Sequence, residues 1–263
     1  MTMRPIDIIK KLCPKARGPY LEAFEHGDGQ FVTAEINTPL RLAHFLAQIL
    51  HESGELTLTY ENMNYRATRI LEIFGVRHSA KVGPEEADDL AGNPQALADR
   101  VYGIGNPKKA KEFDHTKPGD GYKYRGGGLM QTTGKANYRH IGDLCGLDLE
   151  TYPDLVCTAE HALKPAISEW KERGCNALAD KNDLLGISRA INLGNAKSKA
   201  VPNGLSDREA LFKKVRPLCE GVTFRPPAVV VKPPPDVAPI PEQPQHWFSA
   251  LLSAIASIFK RKG

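Results

Sequence analysis

At 263 residues, 41% apolar and 25% charged, the chain is long enough for one domain with an ample core plus something smaller. Its net charge is +4, but Lys260, Arg261 and Lys262 supply three of those charges at the extreme C-terminus, so the body is nearly neutral and a basic face for nucleic acid has no compositional support. Five cysteines, Cys13, Cys145, Cys157, Cys175 and Cys219, are an odd number without a CxxC, which argues against a disulfide scaffold or a zinc site and for reduced, buried thiols.

At the N-terminus Lys10 and Lys11 interrupt the apolar run from Ile6 to Leu12, so no stretch has the length of a secretory signal and the expected place of synthesis and residence is the cytosol until release. Pro5 to about Leu12 reads as a short helix and Tyr20 to Phe24 as the start of another. The central element is Thr38 to Glu61. Thr38 suits an N-cap and Pro39 the first helical position. Leu42, Phe45, Leu46, Ile49 and Leu50 then fall within an arc of about 140°, the stripe of a helix packed on a core. Glu52 lies about 20° beyond that stripe, in the last turn before Gly54, a glycine placed to stop the helix.

Partial burial and the negative end of the helix dipole both favour the neutral form of a carboxyl at position 52, as a general acid requires. Glu61 follows nine residues later, beyond a helix break, among the polar Tyr60, Asn62 and Asn64. There it is expected to stay ionised and to act as a base across a cleft. Glu55 is the rival second carboxylate, since its helical spacing would bring it close to Glu52, whereas an inverting glycosidase leaves about 6.5–9.5 Å between its carboxyl groups for a water. The bland alternative is a solvated helix end that happens to carry glutamate.

Further along, RATRILEIFG reads as a helix ending at Gly75, and EEADDLAGNPQALADRVYG as one or two helices broken at Gly92 and Pro94. The tract 106–121, rich in Lys, Asp, Gly and Pro, reads as a surface loop. YKYRGGGLMQTTGKANYRH suggests a small hairpin or bulged strand pair before a helix at about Ala136. Its glycines do not make a phosphate loop: Gly126, Gly127 and Gly128 lack the third glycine of GxGxxG, and Leu129 and Ala136 occupy the positions a Walker motif needs for Gly and Ser or Thr. Helical patterns return over Glu160–Arg173, Asp183–Leu193 and Asp207–Leu218. His51-Glu52 is followed by Glu55 where HExxH needs histidine, so no metal site is expected. The fold class expected from these elements is α+β, predominantly helical.

Residues 223–244 hold eight prolines and read as an extended linker that ends a domain of residues 1–222. In 245–263, Trp247, Phe248, Leu251, Leu252, Ile255, Ile258 and Phe259 share an arc of about 140° beside the terminal basic cluster. This is the pattern of a short amphipathic helix suited to an anionic membrane surface, or to docking on the domain before it.

With HES at 51–53, Glu61, GDGYKYRGGGLMQTTGKANY at 119–138, INLG at 191–194 and SDREALF at 206–212, residues 3 to 218 resemble the family 19 glycoside hydrolases, most closely their phage endolysin and bacterial lysin branch. The resemblance implies a lysozyme-like, mainly helical domain with a small β-hairpin region that cleaves β-1,4 links next to N-acetylated sugars with inversion, as a monomer without cofactor. It assigns Glu52 as general acid, Glu61 as general base and Thr133 as the hydroxyl that holds the attacking water. It also places His51, Tyr124, Arg125, Gln131, Asn137, Asn192 and Arg208 at motif positions on the substrate side, where the tyrosine and arginines serve either the sugar or the cleft wall. Where the family usually reads YRGRG, this chain has Gly127. The implied activity is that of an endolysin cutting the glycan strand of peptidoglycan, as an N-acetylmuramidase. The alternatives are a chitinase of the same mechanism and a non-catalytic glycan-binding or membrane-active protein.

Overall fold

The helix that carries Glu52 forms for the expected reasons. In the computed structural model, which describes residues 2–225, it is α4, Pro39–Glu52, with Pro39 in its first turn and Thr38 Oγ1 accepting Arg41 N–H at 3.2 Å. Three helices precede it, α1 (Pro5–Leu12), α2 (Gly18–His26) and α3 (Asp28–Thr33). Their Ile6, Ile8, Phe24 and Phe31 enter the same core as α4.

A one-sided stripe underestimates α4. Every residue from Leu42 to Leu50 is buried, His44 and Gln48 included. The helices α12 (Cys175–Asp180), α13 (Leu184–Leu193) and above all α14 (Leu205–Cys219) pack against it and cover the face that the periodicity leaves polar. Leu42, Phe45, Leu46 and Ile49 are fully buried, each contributing about 1.5–3 kcal/mol relative to exposure, so α4 is a rigid base for whatever stands at its end.

A second apolar cluster gathers Met63, Ile70, Phe74, Leu90, Leu97 and Val101 from α5 (Ala67–Phe74), α6 (Pro84–Leu90), α7 (Pro94–Val101) and the segment before them. A third gathers Tyr124, Tyr138, Ile141, Leu149 and Val156 around α10 (Lys135–Cys145) and the 3-10 helix Pro153–Cys157. Helix α11 (Leu163–Glu172) packs between α10 and the N-terminal α3.

The predominantly helical class holds, and two local expectations change. The tract 106–121 contains α8 (Pro107–Phe113) and α9 (Asp120–Lys123). The first is started by Asn106, whose side chain accepts from Lys109 N–H, and by Pro107; it ends at Asp114 in a left-handed conformation (φ 58°). With Phe113 its one large apolar residue, it leaves no periodic signal. The expected hairpin reduces to two isolated antiparallel bridges, Tyr60 with Gly127 and Gly127 with Thr132. Gly128 (φ 74°), Gln131 (φ 50°) and Gly134 (φ 89°) bend the chain too often for a continuous strand.

The chain divides into two units, Met1–Pro227 and Ala228–Gly263. The start of the Pro-rich tract belongs to the first: Thr223 N–H donates to Met3 O (3.0 Å), the Phe224 ring lies 6.3 Å from that of Phe31, and Arg225 N–H donates to Asp28 Oδ2 (2.7 Å). The expected amphipathic helix over 245–263 lies outside the described residues, as do residues 226–244 of the linker.

Candidate active site

Glu52 is the last residue of α4, partly exposed, and the chain reverses immediately after it. Ser53 Oγ donates to Ile49 O (2.6 Å) and accepts from Leu56 N–H (3.0 Å). Gly54, Glu55 and Leu56 are all left-handed, with φ of 55°, 55° and 65°. Two of the three are not glycine, a strain of about 1–3 kcal/mol each, and full burial of Leu56 offsets part of it. The reversal brings Tyr60 into its bridge with Gly127 and lets Glu61 N–H donate to Gly126 O at 2.7 Å.

Glu52 and Glu61 consequently line one cleft of about 530 Å³, together with Tyr102, Gln131, Thr133, Asn137 and Asn192. Glu55 is exposed and is not among the lining residues. Position 126 explains how Glu61, Gln131 and Thr133 converge. A Cβ there would lie 3.1 Å from Gln131 Oε1, 3.2 Å from Thr133 Oγ1 and 3.5 Å from Glu61 Cβ. The glycine thus lets three cleft side chains close over one backbone position. Thr133 Oγ donates to Gln131 O (2.8 Å), Gln131 Nε2 to Gly128 O (2.9 Å) and Asn137 Nδ2 to Thr133 O (2.7 Å), so the turn is knitted by its own side chains. Across the cleft, Asn192 Oδ1 accepts from Asn203 N–H (2.9 Å), which ties α13 to the loop before α14.

The environments of the two carboxyl groups differ from expectation. Glu61 is half-buried despite its polar sequence neighbours. Burial raises its pKa above the ordinary carboxyl value, while the Tyr102 hydroxyl, the Gly126 backbone and the charge of Arg125 pull it partly back. The phenol donates to Glu61 Oε1 at 2.9 Å. Glu52 has a partner that its surroundings in sequence do not announce. Arg208, fully buried in α14, donates through Nη2 to Glu52 Oε1, through Nη1 to Gln48 Oε1 and through Nε to Asn203 O (3.2 Å). It stands behind Glu52 and is not a lining residue of the cleft.

Three other motif positions also lie outside this cleft. The His51 ring packs against Gly204, where a Cβ would come within 2.0 Å of it, and its Nδ1 is 2.6 Å from Asp207 Oδ2. Tyr124 is buried, its ring stacked on His115 and its hydroxyl given to Glu150 O (2.9 Å). Arg125 lies over the rings of Tyr60 and Tyr122, 4.1 and 3.9 Å from their centroids, and lines a separate pocket. These contacts make the three residues parts of the wall. Gly127 opens no vacancy either, because a Cβ there would meet the Tyr138 hydroxyl at 2.4 Å and the Tyr60 ring at 2.8 Å.

Sequence reasoning did not single out Tyr102 as a cleft residue, nor Glu169, Glu172, Arg173 and His140, which line the far side. Glu169 is buried, and Arg173 Nε and Nη2 both reach its Oε1, at 3.0 and 2.9 Å. Burial raises its pKa, Arg173 opposes that shift, and the charge of Glu52 adds to it. The pattern of α11 around Glu169, Glu172 and Arg173, like that of α10 around His140, reads simply as an amphipathic helix, so no signal in the sequence distinguishes them.

No protein-family model matches the chain. Over 176 residues it is 33% identical to a glycosyl hydrolase family 19 domain-containing protein of Haemophilus influenzae, an alignment that covers 66% of this chain and 78% of that protein. Among solved structures, a bacterial family 19 chitinase superposes with a TM-score of 0.53 at 19% identity, over 82% of this chain and 94% of that one. Chitinase C from Streptomyces griseus superposes with a TM-score of 0.51 at 18% identity, over 83% and 77%. At such identities these two likenesses establish the fold.

Proposed function

The chain belongs to glycoside hydrolase family 19, and from that premise we propose that it is an endolysin that cuts the glycan strand of peptidoglycan, as an inverting N-acetylmuramidase, with Glu52 as acid and Glu61 as base. That it is a glycoside hydrolase acting on glycans follows from the family. The observation that supports the residue roles is the meeting of Glu52, Glu61 and Thr133 in one cleft.

Glu52, paired with Arg208 when ionised, reacts from its protonated form: it gives that proton to the glycosidic oxygen, and the bond to the anomeric carbon breaks with its electron pair passing to the departing sugar. Water attacks the opposite face, held by the Thr133 hydroxyl, and loses a proton to Glu61. Reprotonation of Glu52 and deprotonation of Glu61 by solvent complete the cycle. A raised pKa makes Glu61 the stronger base once it is ionised. The amides of Gln131, Asn137 and Asn192 match the acetamido and hydroxyl groups of such a glycan.

The lysin reading is supported by the motif set of that branch, and by the amphipathic pattern of 245–263, which we assign to an anionic membrane surface. In this reading the enzyme stays in the host cytosol until lysis brings it to the cell wall. Mass spectrometry of peptidoglycan fragments tests the specificity: reducing-end muramic acid is expected, reducing-end glucosamine refutes a muramidase, and turnover confined to purified chitin replaces it with a chitinase. Truncation after Pro227, which keeps the contacts of Phe224 and Arg225, is expected to preserve hydrolysis of isolated peptidoglycan and to weaken binding to anionic liposomes. Liposome binding equal to that of the full chain would remove the membrane assignment.

A further inference from the structure

We propose that Tyr102 is a positioning residue for hydrolysis: its hydroxyl holds Glu61 Oε1 and leaves Oε2 as the atom that takes the proton from water. The inference rests on the reading of Glu61 as base.

Glu61 stands on a segment without regular secondary structure, anchored by one backbone bond to Gly126 O. Its side chain has rotatable bonds that this anchor does not fix. The phenol supplies what is missing, at 2.9 Å from Oε1. Burial pushes the Tyr102 hydroxyl well above its ordinary pKa, so it is a permanent donor and the carboxylate its acceptor.

Tyr102 is itself held from several sides. It follows the last residue of α7, and its carbonyl accepts from His115 Nδ1 at 2.8 Å. His115 Nε2 accepts in turn from Lys135 N–H at the start of α10 (3.2 Å). Those two contacts select one neutral tautomer, and burial lowers the imidazole pKa in agreement with it. The Tyr102 ring meets Phe74 and Phe113 edge-on, with centroids 6.2 and 6.1 Å away. Backbone, imidazole and two aromatic rings therefore aim a hydroxyl that makes one side-chain contact, with the proposed base.

The charged and titratable groups around Glu61 come from several elements: Tyr102 at the end of α7, Tyr65 in the segment before α5, Arg125 beside the glycine turn and Glu52 on α4. Tyr102→Phe deletes one of the contacts that lower the Glu61 pKa and leaves Arg125 and the burial in place. The acid limb of kcat/KM is then expected to move to higher pH. Loss of a hydrogen bond to a charged acceptor corresponds to a fall in kcat of about 10- to 100-fold, with KM changed by less than about twofold.

The test is a pH–rate profile on solubilised peptidoglycan for the native enzyme, Tyr102→Phe, Tyr65→Phe and Glu61→Gln. The proposal requires a lowered kcat and a shifted acid limb in Tyr102→Phe alone of the two phenylalanine variants, and an inactive Glu61→Gln. If Glu61→Gln is inactive while Tyr102→Phe keeps the native kcat, or loses kcat with its acid limb unmoved, the positioning role is wrong and the base assignment stands. An active Glu61→Gln overturns the base assignment and the role of Tyr102 with it.

Discussion

Replacing Arg208 with alanine removes a side chain that is fully buried and joins three elements: α4 through Glu52 and Gln48, the loop before α14 through Asn203 O, and α14 itself. Three acceptors lose their donor together. Breaking a buried ion pair from one side costs about 3–5 kcal/mol, because the remaining charge is left without compensation. The Glu52 side chain keeps 17% of its exposure, so water reaches it and the lower end applies, about 3 kcal/mol. For a domain of this size that is a fall in melting temperature of roughly 6–12 °C, at about 2–4 °C per kcal/mol. Calorimetry measures the fall, and Arg208→Lys, which keeps the charge but cannot span three acceptors, is expected to melt between the native chain and Arg208→Ala. A double-mutant cycle with Glu52→Gln isolates the pair: the combined loss should be smaller than the sum of the single losses by 1 kcal/mol or more, within the range of about 0.5–3 kcal/mol found for contacting residues. A melting temperature for Arg208→Ala within about 1 °C of native, or strictly additive losses, would refute the argument.

Glu61→Gln is expected to abolish hydrolysis and to raise stability at pH 7. A carboxyl whose folded pKa is raised opposes folding once it ionises, so the gain should vanish as pH falls below the ordinary carboxyl range near about 4, which denaturant titrations at pH 7 and pH 4 would compare. His44, fully buried against Phe212 with Nε2 2.9 Å from Asn182 Oδ1, is pushed down to about 4, first by desolvation. The unfolded chain then binds a proton below about pH 6.5 that the folded one refuses, and acidification from there to about pH 4 should remove about 3 kcal/mol of stability through this group. NMR of the ring reads it directly, and titration near pH 6.5 would contradict the burial argument.

What could be read in the sequence follows from how local each cause is. Thr38, Pro39 and the apolar period locate α4 because capping and periodicity act within a few residues. The break after Glu52 was also legible, since Gly54, two residues on, can take the left-handed conformation that ends a helix, and here it does (φ 55°). The burial of its opposite face was not, because α14 supplies the cover and Arg208 is 156 residues from Glu52. The same limit applies to Glu61, whose neighbours in sequence are polar while its neighbours in space include Tyr102, 41 residues away. The turn at 126–134 misled for another reason. Glycine beside β-branched and aromatic residues fits a hairpin and a compact irregular turn equally well, and left-handed Gln131 and Gly128 decide for the turn.

The two carboxyl groups are held by opposite means, and that shapes how the site responds to change. Glu52 ends a helix whose residues 42–50 are all buried, so packing fixes its backbone position, and what remains adjustable is the charge behind it at Arg208. Glu61 stands on irregular chain with two isolated bridges nearby, so both its position and its basicity depend on side-chain contacts that converge from elsewhere: the phenol of Tyr102, the charge of Arg125 and the space left by Gly126. Substitutions near the base should therefore alter activity before they alter stability, whereas substitutions behind the acid should alter both together. On the proposed roles, the two carboxyl groups are the reacting groups, and Arg208, Arg125, Gly126 and Tyr102, of which only Tyr102 lies outside the family motifs, set the state in which they meet the substrate.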